Sequence, residues 1–173
     1  MKYYLLDTDQ KNRIPYNINK NHAIDTRYLT KESIDKIPMW NVVEMTFPNE
    51  GFFPDLLCNP WILMSECFIK TIMMYQPDIQ HKGMKLWDKE NGNNATYFIP
   101  FLDEVDCLSD KSIYNTMGNR IICPVLERQK IGERVIFRIK DYNEKCVVGR
   151  MDFVESLLRR GVAGISIKEA DVV

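Results

Sequence analysis

A membrane span has nothing to rest on in this sequence: its apolar runs stop at four residues, as at 61–64, where about 20 are needed to cross a bilayer. The first residues, Met1-Lys2-Tyr3-Tyr4-Leu5-Leu6-Asp7, carry one base and a short alternating stretch. They lack the apolar segment and small-residue cleavage site of an export signal. Cysteine is sparse and unpatterned. The five, at 58, 67, 107, 123 and 146, are odd in number, with no pair at zinc-knuckle spacing. Together these absences predict free thiols in a cytoplasmic protein that meets no membrane. Neither sign of charge dominates, with 23 basic residues against 24 acidic and a net charge of −1. Nucleic-acid affinity comes largely from phosphate neutralisation by a basic face, so no nucleic acid is expected as a partner. The eight glycines are scattered, and no phosphate-cradling loop or nucleophile elbow is written in them.

What is present reads as an ordinary folded chain. The 173 residues, 45% apolar and 27% charged, suit a single domain with enough core to fold without a metal or disulfide. A looser N-terminal part, 1–77, and a sheet-rich part, 78–173, are a further way to divide it. Residues 2–7 read as a strand with apolar side chains on both faces, hence covered on both sides. Residues 10–25 are polar and Asn-rich, a surface loop. Thr30 opens a short helix that Pro38 ends, and residues 41–47 form a strand. Asn59 and Pro60 predict the start of a long helix over residues 60–75. Trp61, Met64, Phe68, Ile72 and Tyr75 recur on one side of it, and Ile62, Leu63, Ile69 and Met73 widen that stripe until the helix is nearly enclosed. Glu66 and Lys70 are spaced for an i,i+4 pair, worth about 0.3 kcal/mol.

Beyond it the apolar period falls from 3.6 to 2. Strands are predicted at 79–87, 96–101, 120–126, 134–140 and 145–151, with a turn over 141–144 and a closing strand at 164–168. Pro124 makes 120–126 an edge strand. Asp152 and Glu155 predict the start of a helix that ends at Arg159, Arg160 and Gly161. The expected fold class is α+β: a mainly antiparallel β-sheet packed on one long core helix, with a few short helices.

Candidate chemistry is thin. The two histidines are His22 and His81. His81 with Cys107 is a conceivable thiol–imidazole dyad, against the alternative of a core cysteine and a solvated strand histidine. Asp103, Glu104, Asp106 and Asp110 bring carboxylates together, the residue type that binds divalent cations or moves protons. Their spacing lacks the glycine and terminal glutamate of a calcium loop. The same run is explained by a solvated loop in which Asp106 caps a turn, or by an acidic surface facing a partner. Arg134, Arg138, Lys140 and Arg150 alternate with apolar residues as any half-exposed strand does. The turn Phe52-Phe53-Pro54-Asp55 offers aromatic anchors for a protein interface, or else tucks Phe52 and Phe53 over the helix that follows. No catalytic, cofactor-binding or metal-binding set is assigned, and no cofactor is implied.

Several stretches are together similar to the family numbered eleven among the immunity proteins of bacterial polymorphic toxin systems. They are Lys2-Tyr3-Tyr4-Leu5, Phe53-Pro54-Asp55-Leu56, Asn59-Pro60, Tyr97-Phe98-Ile99-Pro100, Val105-Asp106-Cys107-Leu108, Ile136-Phe137-Arg138 and Glu155-Ser156-Leu157-Leu158-Arg159-Arg160-Gly161. The resemblance runs in order along nearly the whole chain and implies a cytoplasmic antitoxin that occupies a cognate protein toxin. It supplies no catalytic residues. On that reading Phe52, Phe53, Asp103, Glu104, Asp106 and Asp110 are the candidate partner-binding residues. Two alternatives stand beside it. One is a cysteine-dependent hydrolase or transferase using Cys107 and His81. The other is a structural or regulatory homodimer, with strand 120–126 or the aromatic turn on the two-fold axis.

Overall fold

A computed structural model describes residues 1–11, 15–17, 24–48, 53–142 and 145–173. Along the chain, β1 (Tyr3–Thr8) and β2 (Tyr16–Asn17) precede two 3₁₀ helices (Thr26–Tyr28 and Lys31–Lys36). β3 (Trp40–Thr46) leads to β4 (Leu56–Leu57), β5 (Leu63–Met64) and α1 (Glu66–Tyr75). β6 (His81–Trp87), β7 (Asn94–Pro100) and β8 (Glu104–Val105) follow, then β9 (Ile113–Tyr114), β10 (Ile121–Cys123), β11 (Val125–Leu126) and α2 (Arg128–Ile131). The order closes with β12 (Ile136–Ile139), β13 (Val147–Arg150), α3 (Met151–Arg159), β14 (Ile165–Glu169) and β15 (Asp171–Val172).

These strands build two main sheets. One runs β14-β1-β13-β12-β8 and the other β2-β3-β6-β7-β5-β4. Two small pairs, β9 with β10 and β11 with β15, stand beside them. Pairing is mainly antiparallel. Only β3 with β6, β8 with β12 and β11 with β15 run parallel among the described strands.

The five-stranded sheet is covered on both faces, as the doubly apolar β1 predicts. Leu6, Ile136 and Val147 enter a first core with Phe68, Ile69 and Ile72 of α1 and Phe153, Val154 and Leu157 of α3. Tyr3, Phe137 and Val148 point the other way, into a third core with Cys107, Leu126 and Ile131. A second core fills one face of the six-stranded sheet. There Val43, Met45, Met84, Leu86, Tyr97 and Ile99 meet Leu57, Trp61 and Leu63, with Ile34 and Ile37 from the second 3₁₀ helix and its end.

The helix expected over 60–75 starts later. Leu63 and Met64 are strand residues, paired with Leu57 and Leu56, and Met64 also faces Phe98. A four-residue apolar run satisfies both periods, so spacing alone does not decide between helix and strand. The true cap is Ser65, whose hydroxyl accepts from the Phe68 N–H at 3.2 Å. Nor is α1 enclosed: Met73 and Met74 are exposed. Thr71 is fully buried and donates its hydroxyl to the Cys67 carbonyl at 2.8 Å. The Glu66–Lys70 pair forms, at 2.6 Å.

α3 also starts differently from its sequence signal. Arg150 holds the cap position, and Asp152 turns back to bind its guanidinium at 2.7 Å instead of capping. Gly161 ends the helix with a φ of 77°, the left-handed geometry glycine adopts most readily. Thr30 precedes the second 3₁₀ helix without a side-chain cap bond. The expected strand over 120–126 is broken into β10 and β11, with Pro124 between them. Most of the loop expected over 10–25, and residues 143 and 144 of the expected turn, lie outside the described residues.

Candidate functional site

The acidic quartet divides into two pairs. Asp103 follows β7 and ion-pairs with Lys31 and, at 3.5 Å, with Arg134. The Lys31 hydrogen bond, helped by both positive charges, holds its carboxyl below the usual aspartate range against a smaller opposing effect of burial. Glu104 on β8 pairs with Arg138 Nη1 at 2.9 Å. Together they border a groove of about 260 Å³ with Thr30, Phe101 and Leu102. Asp106 and Asp110 are exposed and face Lys130, whose pKa is raised mainly by its bond to Glu127 and slightly by these two acids. Asp103 and Glu104 are thus already matched to bases, and Asp106 and Asp110, exposed like Glu104, lie toward Lys130. Among the described residues no group of three or more His, Cys, Asp or Glu side chains is placed to hold a metal ion.

His81 and Cys107 are not brought together. Cys107 lies at the bottom of the third core with no exposed surface. Burial there pushes its thiol up to about 11, far from the thiolate that a nucleophile needs. His81 sits in β6 with its ring edge-on to Phe98, 5.5 Å between centroids. Phe98 packs against the first core. The five-stranded sheet, which separates the first core from the third, stands between the two side chains.

Phe53 is half exposed and sets its ring edge-on against Phe47 at 5.0 Å, so it packs on the second core and not over α1. Phe52 lies outside the described residues.

Two exposed surfaces are built that residue patterns alone do not isolate. The first is the hairpin of β9 and β10. Its backbone pairs Tyr114 with Ile121, and Asn115 closes the end. The Asn115 Oδ1 accepts from the Asn119 and Arg120 N–H groups, both at 3.0 Å, and its amide donates to Asn119 Oδ1 at 2.8 Å. The Asn115 carbonyl accepts from the Gly118 N–H, and Gly118 takes a φ of 68°. At the base, the Ser112 hydroxyl bonds both to the Val125 N–H at 3.0 Å and to its carbonyl at 3.2 Å. On this braced loop stand Ile113, Tyr114, Ile122 and Met117, the last 84% exposed. Asp110 lies at its foot. The signal was present as Asn-Thr-Met-Gly-Asn, a turn between apolar residues, but no periodicity marks an isolated hairpin of such short strands.

The second surface is the part of the six-stranded sheet over β3 and β6, on the face whose β7, β5 and β4 residues Phe98, Met64 and Leu56 pack into the first core. Register sets out three rows across β3, β6 and β7: Trp40-Gly83-Phe98, Val42-Lys85-Thr96 and Glu44-Trp87-Asn94. Trp40 and Val42 are each 57% exposed and Trp87 43%. The Trp40 indole lies flat across Gly83, where an added Cβ would come within 2.3 Å of it, and its ring tilts toward Phe98 at 6.0 Å. Sequence reading finds the strand here but not its orientation, because Trp40/Val42 and Val43/Met45 are apolar on both sides.

No helix among the described residues is long and apolar enough to cross a membrane. No protein-family model matches this chain, and no curated protein matches it.

Proposed function

We propose that this chain is an immunity protein, a cytoplasmic antitoxin that neutralises a cognate protein toxin by binding it and performs no chemistry of its own. The observation that carries the reading is the braced hairpin of β9 and β10. An exposed methionine, a tyrosine and two isoleucines are presented on a loop fixed by three side-chain hydrogen bonds of Asn115. Such a loop gives up little conformational freedom on docking, so more of its contact energy appears as affinity. Asp106 and Asp110 supply a charged rim beside it, suited to steering encounter. A stable complex of this kind buries about 1,600 Å² in total. The ordered similarity of the quoted segments to immunity proteins points the same way, and it names the partner class.

The test is co-expression with the product of the neighbouring gene. The proposed function predicts a complex that survives purification and protection of cells from that product. Neither a complex nor protection would remove the reading.

A further inference from the structure

We propose that a groove beside β1 and β14 is a binding site for a small zwitterion, a free amino acid with a short apolar side chain. This goes beyond the antitoxin reading and does not depend on it.

The groove holds about 210 Å³, and its floor is one face of the two strands. Register sets Leu5 opposite Lys168 and Asp7 opposite Ser166, so these four side chains leave the sheet on the same side. Leu5 packs against the third core. Cys146, just before β13, extends the floor, and Ile122, Pro124 and Tyr142 form a wall.

Charge selects the occupant. One acid and one base, Asp7 and Lys168, line the groove, and its other lining residues are uncharged. The two are diagonal neighbours across the ladder, a relation that sets them roughly 7–8 Å apart, and they form no ion pair with each other. Among the described residues neither has an ion-pair partner elsewhere, and the Lys168 ammonium and Ser166 hydroxyl have no hydrogen-bond partner. Asp7 is held in place: its Oδ1 accepts from the Thr8 N–H at 2.7 Å, and the Cys58 thiol stands beside it. A carboxylate offers about four acceptor positions, so acceptor capacity remains for a bound ammonium.

A free amino acid carries an ammonium and a carboxylate on one carbon and matches this pair end for end. Its ammonium donates to Asp7 and its carboxylate accepts from Lys168, both as charge-assisted bonds. Ser166, on the same strand as Lys168, adds a hydroxyl. Leu5 beneath and Ile122 and Pro124 at the side give an apolar side chain a surface to cover. Other small ligands fit less well. A phosphate or a dicarboxylate sets further negative charge against Asp7. A divalent cation finds one carboxylate where several oxygens are needed, with an ammonium at its flank. The volume is also below that of pockets for drug-sized molecules.

The experiment is an amide-resolved NMR titration of the purified chain with L-alanine, L-valine and L-leucine at millimolar concentration. The proposal predicts saturable shifts at the amides of Leu5, Asp7, Ser166 and Lys168 with at least one of the three. The N-acetyl and amide derivatives of the amino acid that binds each lack one charge. Each is expected to bind at least about tenfold more weakly. Lys168→Gln and Asp7→Asn are expected to lose affinity by the same factor, with circular dichroism to show that each is folded. Lys168 is exposed, so its variant keeps the test open if Asp7→Asn disturbs the fold at Thr8. No saturable shift with any of the three amino acids would overturn the proposal. Equal affinity for the derivatives or for folded Lys168→Gln would overturn it too, as would shifts confined to residues away from the groove.

Discussion

Gly83 and Trp40 are coupled by space. An added methyl at Gly83 would meet three indole carbons of Trp40 within 2.6 Å, so the ring must lift from the sheet. Gly83→Ala is expected to cost about 1–3 kcal/mol, the usual penalty for forced overpacking, read as a lower denaturation midpoint. A red-shifted tryptophan emission would accompany it as the indole becomes more exposed. Asp103 makes a pH prediction. Lys31 and Arg134 lower its folded pKa beneath the ordinary aspartate value of about 3.9. Such a group adds stability that is present above the unfolded pKa and is lost as pH falls through the folded one. Asp103→Asn should therefore reduce stability at neutral pH and flatten its decline on the acid side. The effect should be small, since both partners of each pair are well exposed. Urea titrations at pH 7 and pH 3 measure it.

At the scale of elements, the sequence was most readable where one period held for long enough. Strands β1, β3, β6, β7, β12 and β13 fall on predicted stretches, each a run rich in apolar, β-branched or aromatic residues bounded by turn signals. The start of α1 did not, since Leu63 and Met64 serve as strand residues in a run that also fits a helical stripe. The sign of the error is physical: Ser65 is a cap residue, but Asn59-Pro60 is an equally good helix signal, and tertiary pairing chose between them. Ser65→Ala removes the hydroxyl that accepts from Phe68 and is expected to cost about 1 kcal/mol, measured by thermal denaturation. The candidate partner-binding residues were only partly legible. Acidic side chains are visible in a sequence, but the bases that neutralise Asp103 and Glu104 come from residues 31, 134 and 138, far along the chain. The hairpin was illegible because its strands are too short to show a period.

Across the whole molecule, α1 and α3 do the work of joining. Both enter the first core, where residues of the two sheets also meet. Phe153 is its hinge: fully buried, with its ring edge-on to Phe68 at 6.0 Å and to Tyr75 at 5.7 Å. Phe153→Ala is expected to cost about 3–5 kcal/mol, visible as a large fall in the urea midpoint. That core lies away from the hairpin, which belongs to a separate pair of strands. The proposed binding surface can therefore be altered while the fold is left in place. Titration calorimetry of the purified chain with the purified product of the neighbouring gene asks the functional question most directly. Wild-type protein should bind tightly, and a folded Met117→Asp variant should bind at least tenfold more weakly, a loss of about 1.4 kcal/mol. Equal affinity for both proteins would contradict the role given to the hairpin, and no heat from the wild-type titration would contradict the proposed function itself.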